Sequence, residues 1–375
     1  MTNRGGLADV LVSAGALLGV PGTEDRLRLA ELAGSPRRIC VLLIDGMGYH
    51  LLPSAAPHAP LLADVLAGRT GTLNELSCSF PSTTPTSLAT LGTGTLPGAH
   101  GVLGFTVNVP GTDRVLTHVR WRDDPAPRAW QPEPSLFDRA EAAGTRVAVV
   151  SRPEFAGSGL TIAAYGTPRY VGAAHAEQLA TGALAELAAG PGLVYGYHPT
   201  LDAVAHEYGV ASPDWARAAA AVDRLIARIV DGLPDDAALF VTADHGALDV
   251  PADGRVDMDA DPRLTAGVRV VAGEPRVRYL HTLPGAAPDV LATWRELLAG
   301  RARVLARDEA VTSGLFGPVR DEHLARIGDV VVIAEGTTVV LASAHEPESV
   351  GKLVAFHGAL TPAETAIPLI GFAAG

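Results

Sequence analysis

Two short apolar runs, each closed by an acid and a glycine, limit most strongly what this chain can fold into. ICVLLIDG (39–46) and ALFVTADHG (238–246) are continuous apolar stretches of strand length, without polar alternation. A strand of that kind is buried on both faces, as in the interior of a parallel sheet, and carries its acid at the carboxyl end. In open α/β sheets, ligands bind at that edge. Asp45 alone suits a turn equally well. The Asp244-His245-Gly246 triplet is harder to explain by packing, because neither charged side chain belongs in a core unpaired.

Around these runs the chain alternates helix and strand. Residues 53–70 read as a helix and 71–78 as a strand. A helix capped by Ser135 and closed at Gly144 leads into a strand at 146–150. Helix 176–190 precedes strand 192–199, and helix 213–232 precedes the second apolar run. Helix–Gly–strand units of this kind build a doubly wound sheet. The expected fold class is therefore α/β, a doubly wound, mostly parallel sheet flanked by helices. Its core is expected to span 1–249 and 347–375, with 250–346 as an inserted α+β subdomain of the same domain. The loop-rich stretch 105–134, with Trp121 and Trp130, reads as a surface excursion beside the site. His281, His323 and His345 have no partner spacing and read as surface residues.

The 375 residues suffice for one large α/β domain or two average ones. A net charge of −12 argues against a nucleic-acid-binding surface, since no basic stripe exists to neutralise phosphates. It remains compatible with a small anionic substrate held locally by metal ions. The two cysteines, Cys40 and Cys78, supply neither a disulfide framework nor zinc-type spacing, which points to a reducing, cytoplasmic compartment. Residues 1–22 lack the compact apolar core of a signal peptide. No run approaches the ~20 apolar residues that span a membrane. A small-molecule partner is expected, and neither a nucleic-acid duplex nor a membrane.

The stretch CSFPSTTPTSLATLGTGTLPGAHG (78–101) turns at 81–83 and starts a helix. Proline suits the first helical position, so Pro85 makes Thr84 the expected N-cap. A hydroxyl there sits among free backbone N–H groups, where a phosphate oxygen would settle. Farther on, in LDAVAHEYG, Asp202 and His206 lie four apart on one helical face, able to hold one metal ion. Such a pair also occurs on ordinary solvated faces. His357-Gly358 precedes a Thr/Pro-capped segment and a last strand.

Together these positions offer three carboxylates (Asp45, Asp202, Asp244), three imidazoles (His206, His245, His357) and the Thr84 hydroxyl. Mixed Asp/His ligands without thiolate suit two Zn²⁺, with Mn²⁺ or Fe as alternatives. Six ligands divide into two three-ligand sites, each with an open position. Two divalent ions less three carboxylates leave about +1 locally, matched to a singly charged phosphodiester. A threonine hydroxyl must be activated to act as a nucleophile, and two such ions supply activation and leaving-group stabilisation for in-line displacement.

LLIDGMG with Asp45, the T-x(8)-TG-x(5)-HG frame from Thr84 to Gly101, LDAVAH, TADHG and FHG occur in one order across nearly the whole chain. In that order they resemble the alkaline phosphatase superfamily, most closely its nucleotide pyrophosphatase/phosphodiesterase branch. The resemblance implies the alkaline phosphatase-like fold and hydrolysis of phosphodiester or phosphoanhydride bonds through a phospho-Thr84 intermediate. It implies one zinc held by Asp202, His206 and His357. The other would be held by Asp45, Asp244 and His245, with Thr84 joining as a further ligand and as the nucleophile. His100 belongs to the frame without being a ligand.

Two departures bear on the substrate. Nucleotide-cleaving members usually place an aromatic after the nucleophile, where this chain has Pro85. They also carry an asparagine shortly after the HG pair, where this chain has Phe105, with Asn108 as a substitute. Phe105, Tyr165 or Tyr170 would then provide the stacking surface for a small phosphodiester or nucleotide-like substrate. A phosphonoacetate-hydrolase-like C–P hydrolase and a phosphomonoesterase are the alternatives within the superfamily. A non-catalytic metal-binding carrier is the alternative outside enzymes.

Overall fold

The computed structural model describes residues 5–210 and 212–374. Its central sheet has seven strands: β1 (Arg38–Ile44), β2 (Thr72–Ser77), β3 (Val147–Ser151), β4 (Arg169–Gly172), β5 (Gly192–His198), β6 (Ala237–Thr242) and one from the C-terminal part of the chain, Ala366–Ala373. Across the sheet the order is β2, Ala366–Ala373, β6, β1, β5, β3, β4. β1 pairs in parallel with both β5 and β6, β3 in parallel with β5 and β4. Only the Ala366–Ala373 strand runs against its neighbours β2 and β6. This is the expected α/β arrangement, a mostly parallel sheet flanked by helices.

Parallel pairing explains the unbroken apolar runs. Both faces of the central strands are covered, so residues 39–44 and 238–241 are all fully buried, as two-sided burial requires. The covering helix Pro213–Asp231 buries Trp215, Ala219, Val222, Ile226 and Ile229 on one stripe, the spacing of an amphipathic helix. Its start is fixed by Ser212, whose Oγ accepts from Trp215 N at 3.0 Å. Ser135 does the same for the helix Leu136–Ala142, accepting from Asp138 N.

A second sheet is formed by β7 (Val268–Glu274), β8 (Val277–Thr282), β9 (Ala302–Ala306) and β10 (Val330–Ala334). The order is β7-β8-β10-β9, antiparallel throughout. It is joined to the site region by a fully buried, bidentate ion pair. Arg276 Nε and Nη2 reach the Glu364 carboxylate at 2.9 and 2.6 Å, both side chains without exposure. Glu364 also accepts from the backbone N–H of Ala359 at 2.9 Å and from the Thr361 hydroxyl at 2.6 Å. It therefore pins the segment that follows His357. Removing one partner leaves the other charge buried alone, so Arg276→Ala should lower unfolding free energy by about 3–5 kcal/mol. Urea denaturation measures this, and a loss below about 1 kcal/mol would mean the pair is not what holds the two parts together.

Several local expectations differ from the structure. The stretch 53–70 is broken into the short helix Leu52–Ala55, a 3₁₀ turn Ala56–His58 and the helix Pro60–Leu66, because Pro53, Pro57 and Pro60 are each tolerated only in a first turn and so restart the helix. The 105–134 region is largely exposed, as expected of a surface excursion, but it is anchored: Trp121 and Trp130 are buried in a cluster with Phe80, Tyr279 and Phe316. Their aromatic area is too large to leave in water. His281 and His323 are buried too, and only His345 is exposed. His323 is held by its Nδ1, 2.9 Å from Gly98 O. That long-range contact has no trace in sequence spacing.

Candidate active site

The carboxyl ends of the three adjacent strands β6, β1 and β5 deliver the acids. Asp45 directly follows β1, Asp244 follows β6 by two residues, and β5 leads into the helix Thr200–Tyr208 carrying Asp202 and His206. The chain can make so tight a crossing only with glycine. At Gly46 φ is +71°, and a Cβ there would lie 2.8 Å from Asp202 Cβ. At Gly48 a Cβ would meet Gly246 Cα at 2.6 Å. Both contacts are closer than carbon atoms tolerate.

Two groups of candidate ligands result, Asp202/His206/His357 and Asp45/Asp244/His245, with ligand atoms in each group within 4.8 Å of one another. His206 Nε2 lies 3.2 Å from Asp202 Oδ2 and 3.2 Å from His357 Nε2. His245 Nε2 lies 3.3 Å from Asp244 Oδ2 and 3.4 Å from Asp45 Oδ1. The rings of His245 and His357 stack at 3.5 Å between centroids. Each imidazole turns its Nδ1 to a backbone carbonyl: His206 to Ala355 O and His357 to Ser82 O, both at 2.8 Å, and His245 to Gly246 O at 3.1 Å. With Nδ1–H donating outward, each Nε2 faces inward.

The helix Thr84–Thr93 begins one residue earlier than expected. Thr83 is the N-cap, with extended φ −135° and ψ 146°, and its carbonyl accepts the first helical bond from Ser87 N at 3.0 Å. Thr84 is the first helical residue and Pro85 the second. Proline fits there equally because first-turn N–H groups have no intrahelical acceptor. The shift matters for chemistry. The Thr84 hydroxyl is not spent on capping and sits 3.1 Å from His245 Nε2.

Electrostatics and unpaired atoms both fit the cluster to cations. Burial, then the charges of Asp244 and Asp202, push the Asp45 carboxyl well above its usual range. Burial, with Asp202 next, raises Asp244 to about 6. In Asp202 the upward push of burial is outweighed by His206, His357 and His245, and its pKa falls. Burial likewise opposes the charged form of His206, but Asp202 outweighs it and lifts this imidazole to about 9. Burial keeps His245 at about 4 and His357 at about 3. Asp45 Oδ1, Asp202 Oδ1 and Asp244 Oδ2 are buried without a hydrogen-bond partner. Three buried carboxylates with one bare oxygen each, beside three inward-facing imidazole Nε2 atoms, are a donor set for divalent ions once His206 gives up its proton.

Of the expected substrate contacts, Tyr165 lines a cavity that also contains Thr84, as does Tyr170. Phe105 lines a different cavity, with Arg269 and Arg278. Asn108 is buried in the short strand Thr106–Asn108, paired to Val115–Thr117. His100 lies outside both ligand groups. Its Nε2 meets Thr90 Oγ1 at 3.0 Å and its Nδ1 accepts from Val102 N at 3.1 Å. It braces the helix of Thr84.

Residues 39–360 match the type I phosphodiesterase/nucleotide pyrophosphatase family, a span that takes in both ligand groups and Thr84. The chain belongs to that family. Among curated proteins no relative matches it. Murine ectonucleotide pyrophosphatase/phosphodiesterase 5, solved in an inactive form with AMP, superposes with a TM-score of 0.71 at 16% identity, covering 90% of this chain and 88% of that one. The human form gives 0.71 at 14%, with 90% and 88% covered. Phosphonoacetate hydrolase from Sinorhizobium meliloti, with phosphonoformate, gives 0.67 at 21%, with 90% and 91% covered. At these identities the likeness is one of fold.

In this phosphodiesterase-family chain, several residues that hold the site carry no spacing signal. Ser82 clamps the His357 loop: its Oγ donates to Ala359 O at 2.8 Å and accepts from Gly358 N at 3.1 Å. Ser87 Oγ donates to Asp244 O at 2.8 Å, tying the Thr84 helix to β6's end. The Tyr197 hydroxyl donates to Asp45 Oδ2, which leaves Oδ1 free to face a cation. Tyr197→Phe should weaken metal binding in the Asp45 group about 10- to 100-fold. Competition with a zinc-sensitive chelator measures it. Unchanged affinity would make the tyrosine a packing residue only.

Proposed function

We propose that the chain is a two-metal phosphodiesterase or nucleotide pyrophosphatase working through a phospho-Thr84 intermediate. The observation that carries this reading is the uncapped Thr84 hydroxyl, 3.1 Å from His245 Nε2, at a helix start beside two three-residue ligand groups. Asp202, His206 and His357 would hold one ion, and Asp45, Asp244 and His245 the other. Zn²⁺ is the metal most in keeping with an Asp/His set, with Mn²⁺ and Fe next. Bound divalent ions supply the charge that favours an ionised Thr84 and offsets charge on the leaving oxygen.

The protein's own groups do the rest. The helix start places Thr84 Oγ1 beside the Asp45/Asp244/His245 group, where an ion held by that group would orient and activate it. First-turn N–H groups of the Thr84 helix, at the positive end of its dipole, receive non-bridging oxygens. Thr84 Oγ1 forms a bond to phosphorus as the bond to the leaving oxygen breaks on the opposite side. Water then cleaves the phosphothreonine, returning Thr84 and releasing the phosphoryl product.

The AMP held by the murine relative supports a nucleotide-like or other small diester as substrate. The cavity beside Thr84 has no Arg, Lys or His among its lining residues. That favours a diester over a carboxylated phosphonate, which would need a cation partner. Cys40 and Cys78, both free, support a reducing, cytoplasmic setting. Among the described residues no helix is long and apolar enough to cross a membrane.

The test is hydrolysis of bis-p-nitrophenyl phosphate against p-nitrophenyl phosphate by zinc-loaded protein. A preference for the diester is expected. A preference for the monoester would overturn the diesterase assignment, and inactivity on both would overturn the enzyme reading.

A further inference from the structure

The cavity beside Thr84 has a volume of about 150 Å³. Pockets for drug-sized ligands run to about 300–1,000 Å³, whereas a cavity of about 150 Å³ takes a single benzene ring. Its walls include the rings of Phe155, Tyr165, Tyr170 and Tyr197 with the aliphatic Leu88 and Leu160. Its floor is rigid, because Val149 and Ser151 belong to β3 of the central sheet.

The hydroxyls in this wall are already committed. Tyr165 OH pairs with Tyr195 OH at 2.9 Å, and Tyr170 OH donates to Arg152 O at 2.6 Å. Tyr197 OH donates to Asp45 Oδ2. Ser151 Oγ donates to the carbonyl of Tyr197 at 3.3 Å, Thr161 Oγ1 to Phe155 O at 2.8 Å, and Ser158 Oγ to Thr161 Oγ1 at 3.0 Å. Among the lining hydroxyls only that of Thr84 has a chemical task in the proposed reaction. With Tyr170, Tyr197, Ser151, Ser158 and Thr161 donating elsewhere, the wall offers few donors to the ring nitrogens and carbonyls of a nucleobase. It also lacks any charge to balance a carboxylate or a second phosphate. What it rewards is apolar, ring-shaped surface.

We propose that this cavity selects substrates whose phosphorus carries one neutral, single-ring group, aryl or cycloalkyl, rather than a nucleoside or a carboxylate arm. The proposal rests on the phosphodiesterase reading of the Thr84 site and narrows its substrate class.

The test is calorimetric titration of the zinc-loaded protein with four probes: phenylphosphonate, methylphosphonate, phosphonoacetate and AMP. Phenylphosphonate should bind at least about tenfold more tightly than methylphosphonate, since burying two further apolar carbons alone is worth about that factor. It should also bind more tightly than phosphonoacetate and AMP. Leu160→Phe, which fills the cavity, should erase the phenyl advantage, with circular dichroism as the check on folding. If that variant fails to fold, the wild-type ranking decides by itself. Equal affinity for phenyl- and methylphosphonate, or tighter binding of AMP or phosphonoacetate, overturns the proposal. If that occurs while bis-p-nitrophenyl phosphate is still hydrolysed, the cavity assignment falls and the phosphodiesterase reading stands. A phenyl preference in a protein that hydrolyses no ester leaves the cavity assignment standing and the enzyme reading overturned.

Discussion

Thr84→Ala is expected to lower hydrolysis of bis-p-nitrophenyl phosphate by at least about 10⁴-fold while leaving both metal sites loaded. The two effects separate because the hydroxyl lies outside the three-residue groups. The groups draw on β1, β6, the Thr200–Tyr208 helix and the His357 loop. Thr84 adds to them only the 3.1 Å contact with His245. The helix start is also spared, because Thr83 is its N-cap. The side chain removed is therefore the proposed nucleophile and little else. Metal content by mass spectrometry and turnover by p-nitrophenolate release read the two effects independently. A variant that keeps the wild-type rate would exclude covalent catalysis by Thr84. Lost metal together with lost rate would make Thr84 a ligand first.

Stripping the metal should have the other large effect. After dialysis against a chelator, activity is expected to disappear and the melting temperature to fall. Both should return with two equivalents of zinc per chain. The cause is the crowding of charge: Asp45, Asp202 and Asp244 are all buried, and each leaves one oxygen without a partner. Without cations, burial and mutual repulsion raise Asp45 and Asp244, so the folded state carries strain that bound cations relieve. Asp244→Ala should reduce bound zinc from two ions to one and cut the rate by at least about 10²-fold. Full activity in the metal-free protein would overturn the two-metal reading. Two zinc ions retained by Asp244→Ala would overturn the assignment of that ligand.

Much of the architecture was legible in the sequence because its signals are local. The runs at 39–44 and 238–242 are apolar on both faces, and only a covered parallel strand accommodates that. Ser135 and Ser212 announce helix starts through bonds spanning three residues. Asp202 and His206 share a helical face by spacing alone. The acids at strand ends, taken with the ordered motifs, single out the residues that the fold gathers into two groups.

Other features depended on contacts between distant parts of the chain, which only the tertiary structure decided. Tyr197 orients Asp45 from 152 residues away, and Ser82 holds His357 from 275 away. Nothing in the composition near either residue marks the pairing. The excursion 105–134 is largely exposed, but the burial of its two tryptophans was hidden for the same reason. Trp121 and Trp130 find their cluster across the second sheet, against Tyr279 and Phe316. The Thr84 position was within one residue of correct, since proline suits the first or second helical position equally and only the backbone distinguishes them. The sequence by itself determined which strands are central and which acids stand at their ends, because burial on two faces and helical spacing are written in adjacent residues. The tertiary structure decided which oxygen of each acid stays free and which rings wall the cavity beside Thr84, because those depend on side chains brought together by folding.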